Sequence, residues 1–130
     1  MTYSYTKKVS SSFQSAKENL IAALTQEGFG VLTEIDVKAT LKKKLGIEYG
    51  EYSILGACNP QLAYSALQLE KEIGLFLPCN VVVYESDAQI YISAILPSAA
   101  MGVIGNAAVS AVALEVESKL KKVIDQAALM

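Results

Sequence analysis

Three residue types are missing from this chain of 130 residues: it has no histidine, no tryptophan and no arginine. Histidine is the commonest general base and the commonest metal ligand, so its absence excludes a Ser-His-Asp or Cys-His mechanism within one chain. A zinc site would have to use thiolates and carboxylates only. Whether the protein is an enzyme therefore stays open, and no cofactor is indicated.

All 11 basic residues are lysines, and the formal net charge is only −2. The planar guanidinium of arginine grips phosphates and base edges with two parallel hydrogen bonds, whereas lysine offers a point charge. A bulk charge this close to zero favours neither nucleic acid nor an anionic membrane surface. We therefore expect no nucleic-acid partner.

Cysteine is also scarce, since the chain has only Cys58 and Cys79. Two cysteines do not make a disulfide framework. The first twelve residues alternate polar and aromatic side chains and lack the basic-then-apolar pattern of a secretory signal. The sequence thus predicts a protein of the reducing cytoplasm.

Charge is absent from the 27 residues between Ala88 and Leu114. That length would cross a bilayer, but polar and helix-breaking residues interrupt it and its hydrophobic period changes from 2 to 3.6. We expect no membrane span, and interpret the stretch as a subunit contact in which Met101, Val103 and Ile104 bury against a partner. The alternative is an anion site formed by the backbone N–H groups before Asn106.

Hydrophobic periodicity and turn residues predict one α+β domain over residues 1–130, with an antiparallel sheet and helices on one of its faces. Alternating residues predict strands at Thr2–Val9, Gly30–Lys38, Tyr52–Cys58, Cys79–Glu85 and Ile90–Leu96. Helical spacing and capping residues predict helices at Ser12–Glu27, Ala39–Leu45, Asn59–Glu70 and from Asn106 onward, with a short helix or loop at Ser98–Gly105.

Each cysteine stands directly before an asparagine. Cys58 precedes the helix cap Asn59, and a helix N-terminus stabilises a thiolate. If the third and fourth strands pair, Cys79 returns close to Cys58, which would permit a disulfide, a shared soft metal or a thiol peroxidase-like cycle. The simpler interpretation is that both cysteines are small core residues and that Asn59 and Asn80 form caps and turns.

Acidic and aromatic residues supply two further candidate sites. Glu34 and Asp36 share a strand face at a separation of roughly 6–7 Å, as in general acid/base pairs, and Lys38 follows on the same face. They form either a polar pocket for a small anion or metal-bridged ligand, or simply a solvated face. Five tyrosines are expected in the core or at its rim, or around a cleft between sheet and helices: Tyr49, Tyr52, Tyr64, Tyr84 and Tyr91.

Three segments resemble signature blocks of the DUF302 family: EGFGVLTEIDVKATLKKKLG (Glu27–Gly46), ILGACNP (Ile54–Pro60) and LPCNVVVYE (Leu77–Glu85). The resemblance extends from about Tyr5 to Gln126. It implies a TBP-like α+β fold, with a curved antiparallel sheet, two long helices packed on one face and two short helices, and it implies a small homodimer. It supplies no activity, and the fold name carries no implication of DNA binding.

The leading hypothesis is a non-enzymatic cytoplasmic homodimer that binds a small ligand or a partner protein in a cleft between sheet and helices. Two Cys-Asn turns would bound the cleft, and the charged residues of the second strand would supply polar groups. The predicted ligand-binding residues are Cys58, Asn59, Cys79, Asn80, Glu34, Asp36 and Lys38.

Two alternatives remain open on the sequence alone. One is a thiol-dependent redox or metal-binding protein, with Cys58 as the reactive thiolate and Cys79 as its resolving or co-ligating partner. The other is a hydrolytic enzyme that uses Glu34 and Asp36 as its acid and base.

Overall fold

Five antiparallel strands form one open sheet, and the two longest helices pack on one of its faces. The computed structural model describes residues 2–130. Across the sheet the strands follow the order β1-β5-β4-β3-β2. The strands are β1 (Ser4–Val9), β2 (Gly30–Asp36), β3 (Tyr52–Cys58), β4 (Cys79–Ser86) and β5 (Gln89–Ile95). The helices are α1 (Phe13–Gln26), α2 (Val37–Leu45), α3 (Pro60–Leu69), α4 (Pro97–Met101) and α5 (Ala107–Leu129).

The predicted fold class is confirmed: this is the α+β, TBP-like arrangement, in which α1 and α5 are the two long helices. The two expected short helices are α2 and α3, and the segment predicted as a short helix or loop at Ser98–Gly105 forms α4 and a 3-10 turn at Gly102–Ile104. The structure adds a 3-10 turn at Lys71–Phe76, which follows α3 closely and whose short segment carries no separate periodic signal.

Strand alternation decides which side chains enter the core. Leu55 of β3, Val81 of β4 and Ile92 of β5 are fully buried against the helices, whereas their neighbours Ile54 and Val82 face the opposite side and are half-buried. From the helices, the large fully buried side chains in the same cluster are Leu20, Leu24, Leu120, Val123 and Ile124. Burying such side chains is the main favourable contribution to the free energy of folding.

Helix starts follow the capping residues in the sequence. Asn106 begins α5, since its side-chain oxygen accepts hydrogen bonds from the backbone N–H groups of Ala108 and Val109. Asp36 does the same for α2, accepting from the N–H of Ala39 at 2.9 Å. This cap explains why β2 ends at Asp36 and not at Lys38, where the alternating pattern had placed its end.

The second strand also contains an irregularity that alternation does not reveal. Its register against β3 shifts between Val31, which pairs with Ala57, and Thr33, which pairs with Gly56. The residue between them, Leu32, is exposed. Because of this bulge, Val31 and Thr33 lie on opposite faces, whereas strict alternation would place residues two apart on the same face.

A polar cluster ties the edge strand β1 to the last helix. The Tyr5 hydroxyl donates to Asp125 Oδ1 at 2.7 Å, and Lys7 Nζ lies 2.8 Å from the same oxygen. The hydrogen bonds from Lys7 and Tyr5 lower the pKa of Asp125. This cluster therefore joins β1 to α5 on the helix-covered side of the sheet.

The uncharged stretch from Ala88 to Leu114 is explained mostly by burial within the chain. It contains β5, which lies between β1 and β4, and α4, which packs on α5. Met101 was expected at a subunit contact, but it is 5% exposed because it packs in a second core cluster with Val109. Among the helices of residues 2–130, none combines the length and hydrophobicity needed to cross a membrane.

We expect Leu120→Ala to lower the free energy of unfolding by about 2–5 kcal/mol, since it leaves a cavity between α5 and the sheet. The matched control is Leu114→Ala on the same helix, which removes an exposed side chain and should change the free energy by less than about 0.5 kcal/mol. Urea denaturation measures both. Equal losses for the two leucines would contradict this account of the core.

Candidate functional site

Cys58, Asn59 and Cys79 line one slot between the sheet and the helices. β3 ends at Cys58, and Asn59 then caps α3 by accepting from the N–H of Leu62 at 3.3 Å. β4 begins with Cys79, which pairs with Ala57 and therefore returns beside the end of β3. The remaining walls of the slot are apolar: they include Phe29, Leu62, Leu77, Met101, Val112 and Val116.

This slot is nearly filled by its own side chains. Its cavity volume is about 20 Å³, which leaves room for about one water molecule but not for a ligand. Burial raises the pKa of Cys79 to about 11, and the neighbouring Cys58 adds to the increase. Cys79 is therefore a protonated thiol at neutral pH, which makes it a poor nucleophile.

The acidic residues of β2 lie outside this slot, and each of them has its own partner. Lys17 of α1 donates to Glu34 Oε2 at 2.7 Å, and Asp36 caps α2. Lys38 Nζ lies 3.7 Å from Glu51 Oε1. Across residues 2–130, no three acidic or cysteine side chains are grouped so as to hold a metal ion.

Asn80 belongs to yet another surface. It follows Cys79 in β4, and successive residues of a strand face opposite sides of the sheet. Cys79 is buried on the helix side, whereas Asn80 is exposed and lines a concavity on the face that α1 and α5 leave uncovered. The predicted site residues therefore lie in three separate places. Cys58, Asn59 and Cys79 line the slot. Glu34, Asp36 and Lys38 lie in β2 or just after it, and Asn80 lies on the open face.

The concavity on the open face has a volume of about 300 Å³. Val82 lies in it at the middle of β4, and Tyr52 and Tyr84 line it from neighbouring strands. Hydrogen-bonding groups come from two further strands, where the hydroxyls of Thr6 and Ser93 lie 2.6 Å apart. The complete lining among the described residues is Tyr3, Ser4, Thr6, Tyr52, Asn80, Val82, Tyr84, Ser93, Ala94 and Ile95.

A row of stacked tyrosines crosses this face. Tyr52, Tyr84 and Tyr91 occupy matching positions on β3, β4 and β5. The ring centroids of successive tyrosines are 5.3 Å apart, with interplanar angles of 15° and 20°. Burial and the adjacent tyrosines raise the pKa of Tyr52, so its phenol stays neutral. The signal for this row was present in the sequence, because all three tyrosines fall on the strand face that alternates with the buried valines and isoleucines.

We expect Cys79 to stabilise the fold in a pH-dependent manner. Because its folded pKa of about 11 exceeds the ordinary 9.0, the folded state keeps the proton more tightly than the unfolded chain does. The contribution is complete below pH 9.0 and is lost as the pH rises towards 11, on the order of 2–3 kcal/mol in all. Urea denaturation of the wild type and Cys79→Ala across this range measures it. If the free energy of unfolding changed with pH in the same way in the two proteins, this prediction would be contradicted.

Comparison with known proteins gives one family. The family model described as "Domain of unknown function DUF302" matches residues 5–127. A crystal structure of an uncharacterised conserved DUF302 protein from Bacillus stearothermophilus is similar, with 33% identity, a TM-score of 0.93, and coverage of 98% of this chain and 99% of that one. None of the curated proteins compared with the chain matches it. The agreement in sequence and fold over nearly the whole length shows that the chain belongs to the DUF302 family.

Proposed function

We propose that this protein is a non-enzymatic binding protein that takes a small molecule in the concavity on the open face of the sheet. One observation carries the proposal: a recess of about 300 Å³ is lined by aromatic rings, hydroxyls and an amide on the sheet face that α1 and α5 leave uncovered. Ligand pockets start at about this volume, and they combine apolar walls with a few convergent polar groups.

The choice of this face over the slot beneath the helices follows from volume and chemistry. The slot has only about 20 Å³ of free space, so a ligand would have to displace α3 or α5. The concavity is open and presents hydroxyls from Thr6 and Ser93 together with the amide of Asn80. Its described lining residues include no carboxylate, amine or thiol, which suits binding better than acid–base or thiol catalysis.

Thiol chemistry is the second candidate function. Its support is that Cys58 and Cys79 are free thiols that line the same slot, as a resolving pair or a shared metal site requires. The raised pKa of Cys79 opposes it, since the protonated thiol is the poor nucleophile and ligand. Free thiols fit the reducing cytoplasm, which we propose as the place of action.

We also propose that the protein is a homodimer, as the family resemblance implies. The surface that best supports such a contact is an apolar patch formed by Leu75, Phe76, Val103 and Ile104. Leu75 is 82% exposed and Val103 is 81% exposed. Leu75, Phe76 and Ile104 line one shallow recess together with Glu70 and Glu72. Exposed apolar groups that cluster in this way favour burial against a second copy.

To test the binding site, we would titrate the protein with a library of small molecules and follow its backbone amides by NMR. We expect shift changes centred on Val82, Tyr84 and Ser93, and their loss in Val82→Lys, which places a charge in the concavity. Ile35→Lys is the matched control, because it changes an exposed residue of the edge strand outside the recess. Shift changes confined to the slot around Leu62 would contradict the proposal.

To test the dimer, light scattering would measure the molar mass in solution. We expect twice the chain mass of 13.9 kDa, and a fall to a single chain mass in Val103→Asp, because a buried carboxylate without a partner opposes association. Leu129→Asp is the control, since Leu129 is equally exposed but lies at the end of α5. A wild-type mass near that of one chain would refute the dimer.

A further inference from the structure

We propose that the ligand of the open-face concavity is a neutral aromatic molecule with one or two rings and one hydrogen-bonding group. This inference rests on the proposed function, because it takes the concavity to be the binding site. Three properties of the recess carry it: the charge of its lining, the arrangement of its tyrosines and the hydrogen-bonding state of its hydroxyls.

The lining selects against charge. None of the described residues around the concavity is ionised at neutral pH. Two charged residues of the strands are paired towards the helices, Lys7 with Asp125 and Glu34 with Lys17. Lys8 of β1 lies on the open face opposite Tyr91 but is not part of the lining of the concavity. An ion that entered the recess would lose hydration without gaining an opposite charge, which is unfavourable for anion and cation alike. The ligand class is therefore neutral.

The tyrosines select for a ring. Tyr52 and Tyr84 line the concavity together, and their rings are held nearly parallel by the spacing of β3 and β4. Because Tyr84 is stacked on both sides, against Tyr52 and Tyr91, its ring is fixed before any ligand arrives. Because both faces of Tyr84 are occupied, this preordered aromatic wall presents ring edges beside the apolar side chain of Val82 and favours an aromatic guest through edge-to-face contacts.

The hydroxyl pair selects for a polar group on that ring. Thr6 Oγ1 and Ser93 Oγ are 2.6 Å apart, and either can be the donor. Two hydroxyls carry two hydrogens, and their mutual bond uses one of them. The other hydrogen is left to donate, and the free lone pairs can accept, so a hydroxyl, carbonyl or amide group on the ligand finds a partner. Asn80 offers a second donor and acceptor in the same recess.

Four naphthalene probes of one shape test this assignment: 2-naphthol, 2-naphthoate, 2-naphthylmethylammonium and 2-methylnaphthalene. NMR titration at neutral pH gives both the affinity and the location of each. We expect 2-naphthol to bind in the concavity at least about tenfold more tightly than either ion, a difference that one unpaired polar interaction supplies. The uncharged hydrocarbon should bind with intermediate affinity.

The variant Thr6→Val isolates the hydrogen bond, because it replaces a hydroxyl by a methyl of the same shape on the edge strand β1. We expect it to lower the affinity for 2-naphthol by about fivefold to tenfold and to leave the affinity for 2-methylnaphthalene unchanged. An equal loss of affinity for both probes would show a merely structural effect and overturn the hydroxyl pair as the recognition group.

The outcomes separate the two proposals. Binding of 2-naphthoate or 2-naphthylmethylammonium in the concavity as tightly as 2-naphthol would overturn the neutral ligand class and leave the binding site standing. Failure of all four probes to shift the amides of Val82, Tyr84 and Ser93 would overturn the ligand class and the proposed function together.

Discussion

The whole structure depends on burying one face of a five-stranded sheet while α1 and α5 leave the other uncovered. Alternation along β3, β4 and β5 sends Leu55, Val81 and Ile92 beneath α1 and α5. The same alternation obliges the residues between them to face outward, whatever their hydrophobicity. In β4 this gives apolar residues on both sides, so the run VVV contributes both to the core and to the open face.

Much of the fold could be predicted because its signals are local. Asn59 followed by Pro60, and Asn106 before the long stripe of α5, mark helix starts by capping chemistry that depends on a few neighbouring residues. The errors occurred where a longer-range contact decides. The bulge at Leu32 is fixed by the pairing of β2 with β3, and Met101 is buried by α5 and not by a second chain.

The candidate site was harder to predict because it depends on which face of the sheet the helices cover. Proximity of the two cysteines follows from the pairing of β3 with β4, and both line one slot. The sequence had grouped Asn80 with Cys79, yet neighbours in a strand cannot share a face. The tyrosine row was visible as alternation, but whether Tyr52 and Tyr84 lie in the core or on the open face is decided only when α1 and α5 are in place.

The two faces of β4 therefore provide two different chemical environments within one strand. On the helix side, Cys79 lies in a narrow, mostly apolar slot where burial favours the protonated thiol. On the open side, Asn80, Val82 and Tyr84 line a recess that water can enter. A ligand can replace that water without disturbing the core, because no buried side chain has to move. Recognition on the open face is thus compatible with a rigid fold, whereas chemistry at the buried thiol of Cys79 would require the helices to separate from the sheet.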